Sequence, residues 1–300
     1  MTAKDLRNIY DVTRKWAFIL PTLAFPTTFV IDAPFGRFTP SGESIFLLDG
    51  RRSWMVMELV SPITFVYTYL RSPLSPLSFG TPPPLSIHNP STVLAILFLI
   101  HYANRAVFSP LRTPSRSKSH VIVVLSAILF NSVNGPLLGA YLSSPECHSY
   151  LAGAYRRPRF WLGILMWAAG FIGNIVHDEI LLNIRRKKQA EDAKKAPEQT
   201  AKEKKKGEHY AIPHGLLYKY ISFPNYFCEW VEWLGFALAA SPIPSFASQG
   251  SFLATITPPF LFLVAEVLTM MPRAVRGHQW YRRKFPNYPK ERRIVVPFLV

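Results

Sequence analysis

Glu58, in SWMVMELVSP, and Asp178, in GNIVHDEILLNIRR, stand inside stretches apolar enough for a lipid bilayer. An ionisable group there is costly unless it faces a protein interior or a wet cavity. Asn174, Asp178, Leu181 and Arg185 recur at helical spacing, so polar groups line one face of a single helix. Tyr102 and Arg105 share HYANR, Asn225, Glu229 and Glu232 share NYFCEWVEW, and Arg273 closes a further apolar run. Arginines beside amides suit an anionic ligand, because a guanidinium grips phosphate through two parallel hydrogen bonds. A partly desolvated carboxyl at Glu58 is expected to keep its proton at neutral pH. Beside the Tyr102 hydroxyl it makes a donor pair for a carbonyl that gains negative charge during a reaction. Snorkelling of long side chains accounts for the basic helix ends, but not for Glu58, Asp178 or Glu229.

The elements that must position these groups follow from the apolar patterning. Of 300 residues, 49% are hydrophobic, and they come in long blocks separated by short charged ones, the pattern of an all-α polytopic membrane protein. Seven apolar runs are predicted as transmembrane helices, at 16–32, 53–70, 92–107, 121–142, 160–182, 229–248 and 252–271. Pro21 and Pro26 are expected to kink the first, and Pro62 to open the second one turn after Glu58. The net charge of +16 is crowded beside the apolar runs, where it sets topology and meets lipid headgroups, so no nucleic-acid partner is expected.

With seven crossings, 26 lysines and arginines fall on the side of the C-terminus and 8 on the other, which places the C-terminus in the cytosol. The chemistry-bearing residues then share one depth, in the cytosolic half of the bundle. The chain reads as a single domain, residues 1–300. Its segment 189–207, QAEDAKKAPEQTAKEKKKG, is a charged insertion expected to be disordered. Cys147 and Cys228 are expected to be free thiols, and the apolar tail end IVVPFLV to pack back on the bundle. A Rossmann fingerprint, a Walker loop, a nucleophile elbow and a paired-histidine metal motif are all missing from the sequence, so no metal is expected.

Several stretches together resemble a known family. GNIVHDEILLNIRR, YAIPHGLLYKYISFPNYFCEWVEWLGFALA and RAVRGHQWYRRKFPNYPKERRIVVPFLV look like the C-terminal half of the membrane steroid 5α-reductases. HYANRAVFSPLR, the MEL around Glu58, PLSFGTPPP and APFGRF look like their N-terminal half, in the right order. The resemblance implies seven transmembrane helices in the endoplasmic reticulum, NADPH in a cytosol-facing polar cavity, and reduction of an enone. It implies Glu58 and Tyr102 as the groups at the substrate's 3-keto oxygen. It assigns the cofactor to Asn174, Asp178, Arg185, Tyr210, Asn225, Glu229, Arg273 and Tyr281, with Arg37, Arg105 and His278 as further members.

Two positions depart from that pattern. Met57 stands where the steroid enzymes commonly place Gln, and Gly277 where a second tail histidine is common. A 3-oxo-Δ4-steroid is the expected substrate and a monomer the expected state. The same chemistry on a polyprenol-type or enoyl-thioester lipid, and a non-catalytic receptor or transporter, stay open at this point.

Overall fold

The computed structural model describes residues 2–299 other than 41, 43, 76–83, 115 and 196–209. Helix α1 (Ala3–Ala24) begins well before the apolar run it contains, because Thr2 and Asp5 form a reciprocal capping box at its start. It carries Pro21 inside it and passes into a 3₁₀ turn, Phe25–Phe29. A second short turn, Gly36–Phe38, precedes strand β1 (Leu47–Leu48) and α2 (Gly50–Arg71), whose first amides are capped by the Asp49 carboxylate. Next come α3 (Pro90–Tyr102), a π-helical turn over Ala103–Phe108 and α4 (Ser109–Arg112), together one rod. Strand β2 (Ser119–His120), α5 (Val121–Leu142), α6 (Pro145–Leu151) and α7 (Pro158–Lys195) follow. The chain ends with α8 (Pro224–Ala240), α9 (Gln249–Thr255) and α10 (Pro258–Lys284).

Among the described residues, four helical stretches are long and apolar enough to cross a bilayer: Pro90–Arg112, Val121–Leu142, Pro158–Lys194 and Pro258–Lys284. The protein is thus an integral membrane protein of all-helical character, with one two-stranded pairing, β1 against β2. Leu125 and Leu129 on α5 and Leu162 and Leu165 on α7 are exposed, as lipid-facing side chains are.

Three expectations change. The run 229–248 is helical only to Ala240, since Pro242 and Pro244 cannot continue it; α9 and α10 then split the next run at Ile256 and Thr257. Helix α2 passes Pro62 without a break. Helix α7 continues to Lys195, so residues 189–195 extend a helix instead of opening a disordered insertion. The remainder of that segment lies outside the described residues.

Two helix pairs form the frame, and glycines set their closeness. A Cβ on Gly135 of α5 would lie 2.3 Å from Thr64 Oγ1 and 2.4 Å from Ser61 O of α2, and one on Gly139 would lie 2.6 Å from Phe65 O. On α7, a Cβ at Gly163 would meet Gly235 O at 2.6 Å and one at Gly170 would meet Glu232 N at 2.4 Å. Small residues let helix backbones approach this closely in a membrane, where packing replaces the hydrophobic drive between helices. The consequence is positional: Glu58 on α2 and Asn174 on α7 are held by backbone-to-backbone contact. Between the pairs lies a core of Phe65, Phe98, Leu138, Leu142, Trp233, Phe236 and Phe262.

The tail returns across the start of α8. Ser222 N and Phe223 N donate to Ile294 O, Arg293 N donates to Tyr220 O, and Val295 is fully buried. Cys147 and Cys228 are both free and buried, Cys147 inside α6 and Cys228 inside α8.

Candidate active site

The inner part of the site is built on Arg105. It sits in the π-helical turn that follows Tyr102, a wider turn that frees backbone groups for other partners. The Arg105 carbonyl there accepts from Trp54 Nε1 at 3.2 Å. Its guanidinium lies 5.2 Å from the Trp54 ring centroid, with Nε 3.1 Å from Glu58 Oε2 and Nη1 2.8 Å from Glu229 Oε1. Glu58 is steadied from behind, because Asn131 of α5 donates to the neighbouring Met57 carbonyl at 2.7 Å. Tyr102 is buried, within electrostatic reach of Glu58, Arg105 and Glu266.

Amides carry the chain of contacts outward. Asn174 Nδ2 donates to Glu229 Oε2 at 3.3 Å and to Asn225 O at 3.0 Å, and Asn225 Nδ2 donates to Asp178 Oδ1 at 3.0 Å. Residues 174, 178 and 181 do share a face, as their spacing requires: two bond the start of α8, and Leu181 lines the cavity beyond it.

That cavity, about 80 Å³, is walled by Arg37, Leu181, Tyr218, Ser222, Phe223, Asn225, Tyr226, Arg273 and Tyr281. Arg37 arrives on the segment before β1, pinned where Phe35 bridges Ser119 and Thr39 Oγ1 donates to Lys118 O at 2.8 Å. Gly36 makes the turn with φ +61°, a conformation that favours glycine, and it packs against the end of Arg273, whose Nη2 would stand 3.1 Å from a Cβ there. The Arg37 guanidinium sits among the rings of Tyr210, Phe223, Trp280 and Tyr281, 4.8–5.5 Å from their centroids. Arg273 stacks on Phe35 at 3.6 Å and donates to its carbonyl. Arg185 lies 5.9 Å from the Tyr210 centroid.

Arg37 Nη1 and Arg273 Nη1 are both buried with no hydrogen-bond partner among the described residues. Two such cations beside one cavity are a fit for an anionic group. Burial, with the Asp178 carboxylate nearby, pushes the Tyr218 phenol well above its ordinary range, so it stays a donor at the cavity wall.

The family model described as 3-oxo-5-alpha-steroid 4-dehydrogenase matches residues 117–300. A rat 3-oxo-5-alpha-steroid 4-dehydrogenase 1 is 32% identical over 90% of this chain and 87% of its own length. The human protein of that name is 33% identical over 83% and 80%. An uncharacterised Schizosaccharomyces pombe protein is 38% identical over 92% and 94%. The chain belongs to the 3-oxo-5-alpha-steroid 4-dehydrogenase family.

Within that family pattern, the sequence-predicted residues fall into two connected groups. Glu58, Arg105, Asn174, Asp178, Asn225 and Glu229 form the inner network, with Tyr102 buried in its electrostatic reach; Arg37, Arg273 and Tyr281 wall the cavity, Tyr210 lies against Arg37, and Arg185 against Tyr210. His278 stands apart, its Nδ1 2.6 Å from Ser222 Oγ, which also accepts from Tyr288 at 2.7 Å. It supports the cavity wall from behind instead of facing the cavity.

The departure at Gly277 has a steric cause: a Cβ there would lie 2.4 Å from Phe223 Cζ, so the ring fills the space a histidine needs. Met57 turns its side chain into the core, with 3% exposed. Glu58 does not stand alone as a proton donor but faces Arg105, a partner that the sequence could not reveal.

Three residues escaped the sequence reading: His101, bonded to Glu232 at 2.7 Å, Glu266 on α10, and Trp54. A carboxylate in an apolar run was the available signal for Glu266, in FLVAEVLTM, the same signal that singled out Glu58 and Asp178.

Proposed function

We propose that this protein reduces the C4–C5 double bond of a 3-oxo-Δ4-steroid, with NADPH as the hydride source. The carrying observation is the unbroken chain of polar contacts from Glu58 through Arg105, Glu229, Asn174 and Asn225 to Asp178. It runs from the buried Glu58 carboxylate at one end to Asn225, in the wall of the arginine-lined cavity, at the other. Family membership supports the substrate class, since relatives of this chain carry the name 3-oxo-5-alpha-steroid 4-dehydrogenase.

Arg37, Arg185 and Arg273 would hold the cofactor's phosphates, and Tyr210, Asn225, Asp178, Tyr281 and Glu229 its hydroxyl and amide groups. The chemistry that NADPH would supply when bound is a hydride to the enone's β-carbon, and a proton from solvent would complete the α-carbon. The cavity between Arg37 and Arg273 would receive a phosphate of that cofactor, beside their two unpartnered guanidinium nitrogens.

Tyr102 donates to the substrate's carbonyl oxygen as negative charge grows there. Glu58 lies alongside and holds Arg105, which keeps a positive charge near the developing oxyanion. Such contacts strengthen as the enolate forms, so they act on turnover more than on binding. Buried Trp233, Phe98 and Phe65 keep water from the inner end.

Seven crossings, with the site in the cytosolic half and a monomer in the endoplasmic reticulum membrane, complete the proposal. The uneven distribution of lysine and arginine supports that orientation. A second reading keeps the chemistry and changes the substrate to a polyprenol-type or enoyl-thioester lipid. It draws on Met57, whose buried thioether offers a substrate no amide. Purified protein in bilayers, given NADPH and a panel of enone lipids, tests both. The steroid should be consumed fastest and appear as its dihydro 3-ketone. NADPH oxidation by none of the panel would refute the enzyme reading.

A further inference from the structure

Two arginines stand about one helical turn apart on α10 and use their guanidinium groups differently. Arg273, in the cavity wall, donates from Nη2 to Phe35 O at 3.3 Å and keeps Nη1 buried with no hydrogen-bond partner among the described residues. Arg276 has every guanidinium nitrogen engaged. Its Nε and Nη2 make a parallel fork on Asp32, Nε to Oδ1 and Nη2 to Oδ2 at 2.6 Å. Its Nη1 donates to Phe29 O at 2.7 Å and to Val30 O at 3.1 Å. Those carbonyls stand at the end of the 3₁₀ turn Phe25–Phe29, where a helix leaves its last acceptors without backbone partners.

The segment held in this way is the one that delivers Arg37 to the cavity. On one side it is tied to β2, where His120 N donates to Pro34 O at 3.1 Å and Phe35 bridges Ser119. Those ties say nothing of its distance from α10, which carries Arg273 and Tyr281 of the cavity wall. Towards α10 the polar ties are Arg276 on Asp32, Phe29 and Val30, and Arg273 on Phe35. A forked ion pair is roughly twice as strong as a neutral hydrogen bond, so Arg276 carries the larger share. Arg273 is thereby left a nitrogen for an incoming anion.

We propose that Asp32 and Arg276 are positioning residues for the cofactor: their ion pair holds segment 29–37 against α10, keeps Arg37 beside Arg273 at the cavity, and leaves Arg273 Nη1 for a phosphate. The proposal rests on the functional reading above. Neither side chain lines the cavity, and at 28% and 29% exposure both are reached by water, so they act through Arg37 and Arg273.

The test uses the full chain in bilayers, with NADPH affinity by fluorescence titration beside kcat at saturating NADPH. D32N and R276Q should each weaken NADPH binding by about 10-fold, the scale of the charge-assisted contact that a displaced Arg37 loses, with kcat near wild type. D32E, whose carboxylate still meets the fork, should bind NADPH close to wild type. R276K, with a point charge in place of the fork, should behave like R276Q. The decisive readout is coupling to Arg37: added to R37A, D32N should cost almost nothing further in affinity. A general loss of fold would lower affinity in both backgrounds and lower kcat and thermal stability with it. Should R276Q fail to fold, D32N and D32E carry the test, since they leave the carbonyl bonds of Arg276 in place.

Wild-type NADPH affinity in D32N, or an equal loss when D32N is added to R37A, overturns the proposal. Unchanged affinity in both R37A and R273A would instead remove the phosphate from this cavity, and it is then the functional reading that fails.

Discussion

Gly170→Ala tests whether helix contact sets the geometry of the site. A Cβ at Gly170 would stand 2.4 Å from Glu232 N, 2.5 Å from Cys228 O and 2.7 Å from Glu232 Cα, where ordinary contact begins at 3.4 Å. All three atoms are backbone, so no side chain can swing away and α7 must part from α8 by about 1 Å. Asn174 lies one turn further along the same face. Its bonds to Asn225 O and Glu229 Oε2, now 3.0 and 3.3 Å, would lengthen past hydrogen-bonding range. Overpacking of this kind costs about 1–3 kcal/mol, and a displacement near 1 Å in a positioning network costs about 100-fold in rate. The assay is thermal stability of the purified protein together with NADPH-dependent turnover. Gly250→Ala serves as the control, since its Cβ would meet only Ser248 Oγ at 3.8 Å. Gly170→Ala with wild-type stability and turnover would refute the link between helix spacing and the site.

Tyr102→Phe, which removes only the hydroxyl, should lower kcat by about 100-fold to 1,000-fold with NADPH affinity near wild type; a loss seen in KM alone would remove Tyr102 from the oxyanion. Arg37→Ala and Arg273→Ala should each weaken NADPH binding by about 10-fold or more, the scale of one charge-assisted hydrogen bond, as measured by fluorescence titration. Unchanged affinity in both variants would move the phosphate site elsewhere. Gly277→His should also weaken NADPH by displacing Phe223 from the Arg37 cage, and trimming that ring with Phe223→Leu should recover part of the loss. A cysteine at exposed Leu299 should react with an impermeant reagent only from the cytosolic side and one at His88 only from the other, against a background of two buried native thiols. Reversed labelling would invert the topology.

Most of the helices, and the polar groups they carry, are legible in the order of residues alone. Apolar runs long enough to span a bilayer leave the backbone little alternative to helix. The spacing of Asn174, Asp178 and Leu181 placed them on one face before any neighbour was known. Helix ends were less legible, because they depend on single capping residues such as Thr2 and on prolines such as Pro242.

Pairing becomes legible once the helices are packed. Arg105 is four residues from His101 in the chain, yet it serves Glu58 and Glu229, 47 and 124 residues away, while His101 serves Glu232. Which carboxylate receives the one guanidinium depends on how α2, α8 and α10 stack around the π turn. That stacking is set by glycine contacts such as Gly135 against Ser61 and Gly170 against Glu232, whose meaning is invisible until the facing backbone is in place. Glu58 has Arg105 as an ion-pair partner and Glu266 has none among the described residues, so two carboxylates that look alike in the sequence differ in the fold.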